Sequence, residues 1–162
     1  MKENPTTREK SLHPEPVATA TRERKNDAGA MSVDLLDERI VVALKAASEK
    51  KAHDMVVLDL RGVATFTDYF LITSGMNARQ VQAIADEIVA QLKKQGTRAQ
   101  RVEGYRTAEW VLVDYGDFIV QVFENKARQF YDLERLWRDA TRIAIPDSEI
   151  ADAESSLKLE ES

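Results

Sequence analysis

Residues 109–123, Glu-Trp-Val-Leu-Val-Asp-Tyr-Gly-Asp-Phe-Ile-Val-Gln-Val-Phe, decide the fold of this chain. Two apolar, β-branched runs flank Tyr115-Gly116, which predicts a β-hairpin with a two-residue connection and a positive φ at Gly116. Side chains alternate along a strand, so one face of the first strand carries Trp110, Leu112 and Asp114, and the other carries Val111, Val113 and Tyr115. One face must enter the core, and the other is then available to a partner.

Length and composition predict one compact domain in a chain of 162 residues that is 43% hydrophobic. The chain has no cysteine, which excludes disulfides, thiolate metal sites and cysteine nucleophiles. Two histidines are too few for a His-rich metal site. No apolar run approaches the roughly 18 residues that a membrane span needs, and no signal peptide opens the sequence. We therefore expect a cytoplasmic protein without metal, cofactor or membrane contact.

The net charge of −5 lies mostly near the carboxyl end. Residues 138–162 hold three Lys or Arg against seven Asp or Glu, whereas residues 32–137 hold fourteen against sixteen. A nearly neutral central region lacks the clustered basic face that phosphate contacts require. Direct, sequence-specific nucleic-acid binding is therefore disfavoured, and a basic protein surface is the more natural partner.

Composition also divides the chain into three parts. Residues 1–31 are polar and nearly free of large apolar side chains, which predicts a disordered extension. Their scattered acids argue against an organellar transit peptide, and Met31 is an alternative start. Residues 32–140 form the predicted domain. Residues 141–162 are expected to be an acidic, disordered tail.

The domain alternates helical and extended patterns. Apolar residues at helical spacing predict a helix over 33–51 capped by Asp34, and a second that begins at the cap Asn77 and closes at Gly96. Continuous apolar runs predict strands over 55–60 and 68–73, and a shorter strand is expected over 97–103. After the hairpin, Phe130, Leu133, Leu136 and Trp137 line a final helical segment. The predicted fold class is α/β, more specifically α+β, because the strands form one mixed five-stranded sheet with helices packed on it.

Five blocks in this order resemble the Iojap family of ribosomal silencing factors. The blocks are Asp59-Leu60-Arg61, the Thr67–Gly75 run, Val102-Glu103-Gly104, the Trp110–Asp117 run and the Tyr131–Trp137 run. The resemblance covers about residues 33–137. It implies a nucleotidyltransferase-like topology without catalytic acids, often found as a homodimer. It also implies a non-catalytic repressor that binds the large ribosomal subunit through its protein number fourteen and blocks subunit joining under nutrient limitation.

The resemblance also implies which residues contact the ribosomal protein, because the family's interface lies on the tryptophan strand. Trp110 and Leu112 match the apolar contacts, and an aromatic anchor ringed by charge is the usual anatomy of a binding hot spot. The acids Glu103, Glu109, Asp114 and Asp117 are expected to meet Lys and Arg of the partner. The remaining candidates are Tyr115, at the hairpin turn, and Tyr105 and Arg106, in the loop before the strand. The other interpretation of Trp110 is a core residue.

Two other classes of function stay open from the residues alone. A nucleotidyltransferase is suggested by Ser74-Gly75 between a strand and a helix N-terminus, where backbone amides hold phosphate. It would need paired acids for Mg²⁺, and Asp86 and Glu87 lie two to three turns along the helix. A general dimeric adaptor would use Phe118, Phe123 or the Tyr131–Trp137 segment.

Overall fold

The computed structural model describes residues 36–146, which form one mixed sheet with helices on both faces. The helices are α1 (Glu38–Glu49), α2 (Ala78–Lys94), α3 (Asn125–Tyr131) and the single turn α4 (Leu133–Leu136). The strands are β1 (His53–Asp59), β2 (Tyr69–Gly75), β3 (Arg101–Glu103), β4 (Trp110–Asp114), β5 (Phe118–Glu124) and β6 (Thr141–Ala144). This confirms the predicted mixed α/β fold.

The strand order is β3-β4-β5-β2-β1-β6. Only the central pair β2 and β5 runs parallel, with Tyr69 opposite Phe118, and the other neighbouring pairs are antiparallel. The predicted hairpin is present as β4 and β5, which pair Trp110 with Phe123 and Asp114 with Ile119. A parallel pair requires a crossover, which α2, β3 and β4 supply between β2 and β5.

The two long helices begin at side chains that cap their first turns. Asp37 accepts a hydrogen bond from the Arg39 amide at 2.8 Å, so the cap of α1 is Asp37 rather than the predicted Asp34, which lies outside the described residues. Asn77 caps α2 as predicted, accepting from the Gln80 amide at 2.9 Å. Gln80 reaches back as predicted, although it accepts from the Met76 amide, at 2.7 Å.

The sheet separates two apolar layers. Helices α1 and α2 cover one face, which we call the helical face, where Ile40, Leu44, Ile84 and Ile88 meet the sheet residues Val57, Leu71 and Val120. The short helices α3 and α4 cover part of the opposite face, where Leu133 and Ala127 pack near Phe70, Ile72 and Phe123. Because α3 and α4 are short, they leave the side chains of β4 on this second face only half-buried. The candidate site described below lies there.

The structure differs from the predicted elements at several further points. The sheet has six strands instead of five, because Thr141–Ala144 adds an edge strand to β1. Residues 141–146 therefore belong to the structured domain rather than to the predicted tail. The predicted strand over 97–103 is reduced to β3, and three residues, Tyr115 to Asp117, connect β4 to β5. The predicted extension 1–31 and residues 147–162 lie outside the described residues.

Within residues 36–146, no helix is both long and apolar enough to cross a membrane.

Candidate docking surface

Trp110 is half-buried on the second face of the sheet, opposite the helical face. Its ring stacks on Phe123, with centroids 5.0 Å apart, and lies 4.6 Å from the ring of Tyr131. The indole Nε1–H donates to Gln121 Oε1 at 2.8 Å. Three contacts therefore fix the orientation of the ring while part of it stays accessible. Trp110 is neither sealed in the core nor loosely attached.

A groove of about 400 Å³ runs beside Trp110. Trp110 and Leu112 line one side, Phe66 and Trp137 line the other, and Phe70 and Ile119 lie between them. Trp137 meets Phe70 edge to face at 5.7 Å and lies 5.9 Å from Phe66. Phe66 itself is 57% exposed. This docking groove, as we call it below, is an accessible aromatic cleft of the kind that takes an apolar side chain of a partner.

Two of the predicted acids lie at the edge of the docking groove. The β3–β4 register pairs Arg101 with Asp114 and Glu103 with Leu112, so these four side chains share the face of Trp110. Arg101 forms ion pairs with Glu103 at 3.0 Å and with Asp114 at 3.3 Å. Asp114 also accepts from the Gly116 amide at 2.8 Å. Exposed pairs of this kind are weak, contributing about 0–1 kcal/mol, so a partner cation can compete with Arg101.

Three other predicted contact residues lie elsewhere. Asp117 forms an ion pair with Arg39 at the start of α1, at 3.1 Å. Tyr105 turns toward α2, where its hydroxyl donates to Asp86 Oδ2 at 3.0 Å, and Arg106 follows it in the same loop. These residues flank the helical face instead of the docking groove. Glu109 is exposed immediately before β4.

The structure does not support the predicted contact between Tyr115 and a partner. Its side chain is buried at 5% exposure on the helical face and stacks on Phe118 at 4.9 Å. Its hydroxyl has no hydrogen-bond partner in the described part of the chain, and burial raises the pKa of Tyr115 to about 12. Strand alternation already placed Tyr115 opposite Trp110, and that signal favoured the core.

Sequence reasoning missed the contribution of α3 and α4 to the site. Tyr131 lies against Trp110 and is 44% exposed, while Phe130, 80% exposed, meets Tyr131 edge to face at 5.0 Å. The predicted helical stripe through 130–137 fails because Asp132 adopts a left-handed conformation (φ 47°) and separates two helices. Of that stripe only Leu133 is buried. In the sequence, the two adjacent aromatic residues Phe130 and Tyr131 were the signal that could have indicated this part of the site.

The geometry near Ser74-Gly75 does not favour phosphate chemistry. Ser74, the penultimate residue of β2, is buried, and its Oγ accepts from Arg128 Nη1 at 2.7 Å. Asp86 is bound by Tyr105, and Glu87 accepts from Gln91 at 2.6 Å. Across residues 36–146, the structure groups no three His, Asp or Glu side chains in a way that could hold a metal ion.

Residues 36–146 form one α/β domain with an accessible aromatic groove on its sheet. A family model described as "Ribosomal silencing factor during starvation" matches residues 33–161. The chain belongs to this family.

Curated relatives and solved structures agree with the family match. The chain is 42% identical over 108 residues to a ribosomal silencing factor of Halalkalibacterium halodurans, covering 67% of this chain and 92% of the relative. It is 46% identical over 99 residues to that of Bacillus subtilis, covering 61% and 84%. Protein Iojap, chloroplastic, from Zea mays is 34% identical over 102 residues, covering 63% and 44%.

Two crystal structures share the fold. One, of a protein from Chromobacterium violaceum, has a TM-score of 0.60 at 32% identity and covers 63% of this chain and 87% of that chain. The other, from Bacillus halodurans, has a TM-score of 0.58 at 39% identity and covers 67% and 97%.

Proposed function

We propose that this protein binds the large ribosomal subunit through its protein number fourteen and blocks association with the small subunit, repressing translation when nutrients are limiting. Membership of the silencing-factor family supports a ribosomal target. A cytoplasmic location is part of the same proposal, since the target is there. The homodimer that the resemblance implies stays a prediction, which sedimentation equilibrium of the purified chain tests.

The observation that carries the proposal is the half-buried, fixed indole of Trp110 on the docking groove. Stacking on Phe123 and the hydrogen bond to Gln121 order the ring before any partner arrives. A preordered side chain loses little entropy on binding, and rotamer-rich side chains otherwise cost about 0.5–1.5 kcal/mol each. Truncating such an aromatic anchor commonly costs about 2 kcal/mol or more.

The charges around the docking groove suit a basic protein partner. Glu103 and Asp114 present carboxylates beside Leu112, and their only described cation partner is the exposed Arg101. A Lys or Arg of the ribosomal protein can exchange places with Arg101 at little cost. Such rim charges accelerate encounter and fix orientation more than they add affinity.

Repression by this mechanism requires binding and bulk, with no chemical step. A folded domain held over the joining surface excludes the small subunit because two bodies cannot occupy the same space. The blocked fraction of large subunits then follows the concentration of the factor relative to its Kd.

Co-sedimentation with purified large subunits tests the proposal. Trp110→Ala is expected to weaken binding about 30-fold, which corresponds to about 2 kcal/mol. Leu112→Arg places a cation where cations of the partner are expected to bind, so it should weaken binding by a similar factor. The matched control is Met76→Ala, because Met76 is 68% exposed but does not line the docking groove.

The purified chain should also lower the yield of joined ribosomes from separated subunits, and this effect should need the same residues. Failure of the unaltered chain to bind large subunits refutes the proposal. Equal binding by folded Trp110→Ala and Leu112→Arg variants removes the docking groove from it.

A further inference from the structure

Two aromatic residues of the site depend on short helices, because Tyr131 ends α3 and Trp137 is the C-cap of α4. The two helices contain seven and four residues, and helices this short are unstable in isolation. Between them the chain turns at Asp132, with φ 47° and ψ 58°. Tertiary contacts must therefore fix Tyr131 against Trp110 and Trp137 against Phe70.

A network of ion pairs and hydrogen bonds joins these helices to each other and to the sheet. Arg128 of α3 donates from Nε and Nη2 to the two carboxylate oxygens of Glu134 on α4, at 3.2 and 2.8 Å. Its remaining nitrogen, Nη1, donates to Ser74 Oγ on β2. Arg142 of β6 lies 3.6 Å from the same carboxylate. The Arg128–Glu134 clamp, as we call this pair, thus links four elements.

The clamp is mostly shielded from water, and its two charges are paired with each other. The side chains of Arg128 and Glu134 are 11% and 20% exposed. Burial raises the pKa of Glu134, but the hydrogen bonds from Arg128 and the charges of Arg128 and Arg142 outweigh this effect and lower it overall. Removing one partner of such a pair leaves the other charge poorly solvated, so the local structure must rearrange. The apolar contacts of α3 and α4 are few, with Ala127 and Leu133 their buried residues.

We propose that Arg128 and Glu134 are positioning residues for docking, which hold Tyr131 against Trp110 and Trp137 against Phe70 without touching the partner themselves. This inference rests on the proposed function and deepens it. Arg128 and Glu134 do not line the docking groove but a separate cavity, together with His53 and Arg142. Loss of the clamp therefore moves the edges of the groove without dissolving the core on the helical face. Affinity for the large subunit then depends on a pair of residues outside the contact.

The test uses Arg128→Gln and Glu134→Gln in the full chain, with Arg61→Gln as matched control. Arg61 makes the same forked pair with Asp59, at 3.0 and 2.8 Å, and lies over Tyr69, away from the docking groove. The first readout is the pair of indole N–H signals from Trp110 and Trp137 in ¹⁵N spectra. The second is affinity for purified large subunits, measured well below the unfolding temperature of each variant.

Both clamp variants are expected to shift or broaden the indole signals and to weaken binding at least tenfold, while Arg61→Gln changes the affinity less than twofold. Should Arg128→Gln fail to fold, Arg128→Lys replaces it, because lysine keeps the charge but cannot form the fork. Folded clamp variants with unchanged indole signals and affinity overturn the inference, as does an equal effect of Arg61→Gln. If the unaltered chain does not bind large subunits, the proposed function fails, and the indole signals alone still decide whether the clamp positions the aromatic residues.

Discussion

Adding a single methyl group at Gly104 should displace the strand that carries Trp110. Gly104 has a φ of +79°, and its carbonyl accepts from the Ala108 amide at 2.9 Å, folding the loop back toward β4. A Cβ at this position would lie 2.1 Å from the carbonyl oxygen of Trp110. Since that atom is backbone, it cannot swing aside as a flexible side chain could.

The cost of Gly104→Ala has two parts. The left-handed conformation costs an L-residue roughly 1–2 kcal/mol. Relieving the contact requires a backbone displacement of about 1 Å, and overpacking of this kind typically costs about 1–3 kcal/mol more. Gly96→Ala isolates the first part, because Gly96 has a φ of +89° and open space where its Cβ would lie.

Urea denaturation followed by circular dichroism measures both variants. We expect Gly104→Ala to lower the free energy of unfolding by about 2–5 kcal/mol and Gly96→Ala by about 1–2 kcal/mol. Gly104→Ala should also weaken large-subunit binding, since Trp110 moves with its backbone, whereas Gly96→Ala should not. Losses of stability that agree within about 0.5 kcal/mol would refute the steric argument.

Four further outcomes follow from three individual side chains. Tyr115→Phe removes a buried hydroxyl without a partner in residues 36–146, so it should raise the urea midpoint, and a lower midpoint would show that the hydroxyl is satisfied. Folding raises the pKa of Tyr115 from 10.0 to about 12, so the neutral hydroxyl contributes to the free energy of unfolding below pH 10, and this contribution is lost as the pH rises toward 12. In a pH series of thermal melts, Tyr115→Phe should not show this loss. Asn77→Ala removes the cap of α2 and should cost about 1 kcal/mol in urea, with Asn77→Ser nearly neutral; equal losses would refute the capping role. The pKa of Glu134 in the folded protein is lower than its ordinary value of 4.5, so its ion pair contributes stability at pH values above 4.5, and this stability is lost as the pH falls through the folded-state pKa. Thermal melts of Glu134→Gln in acid should therefore depend less on pH than those of the unaltered chain.

Elements with a strong local pattern could be predicted from the sequence. The β4–β5 hairpin follows from alternation around Gly116, and α2 follows from the Asn77 cap and its apolar stripe. Trp110, Leu112 and Asp114 share a face as alternation requires. The edge strand β6 was missed because four residues give too little pattern, and because the acidic composition beyond it favoured a tail.

The candidate site was predictable only where its residues lie on one strand. Tyr105, Asp117 and Trp110 are close in sequence, yet turns on either side of β4 direct the first two toward α2 and α1. Trp137 was expected to line a single helical segment, and Tyr131 was considered only as part of a possible adaptor surface, because the left-handed turn at Asp132 has no sequence signal.

The sequence by itself determined the hairpin, the long helices, the two faces of β4 and the family, because these depend on local periodicity and on the identity of neighbouring residues. Only the tertiary structure decided that Tyr131 meets Trp110 and Trp137 meets Phe70, that Arg128 and Glu134 join four elements, and that β6 completes the sheet. These contacts join distant parts of the chain, and their geometry exists only after the sheet has formed and the short helices have closed over it.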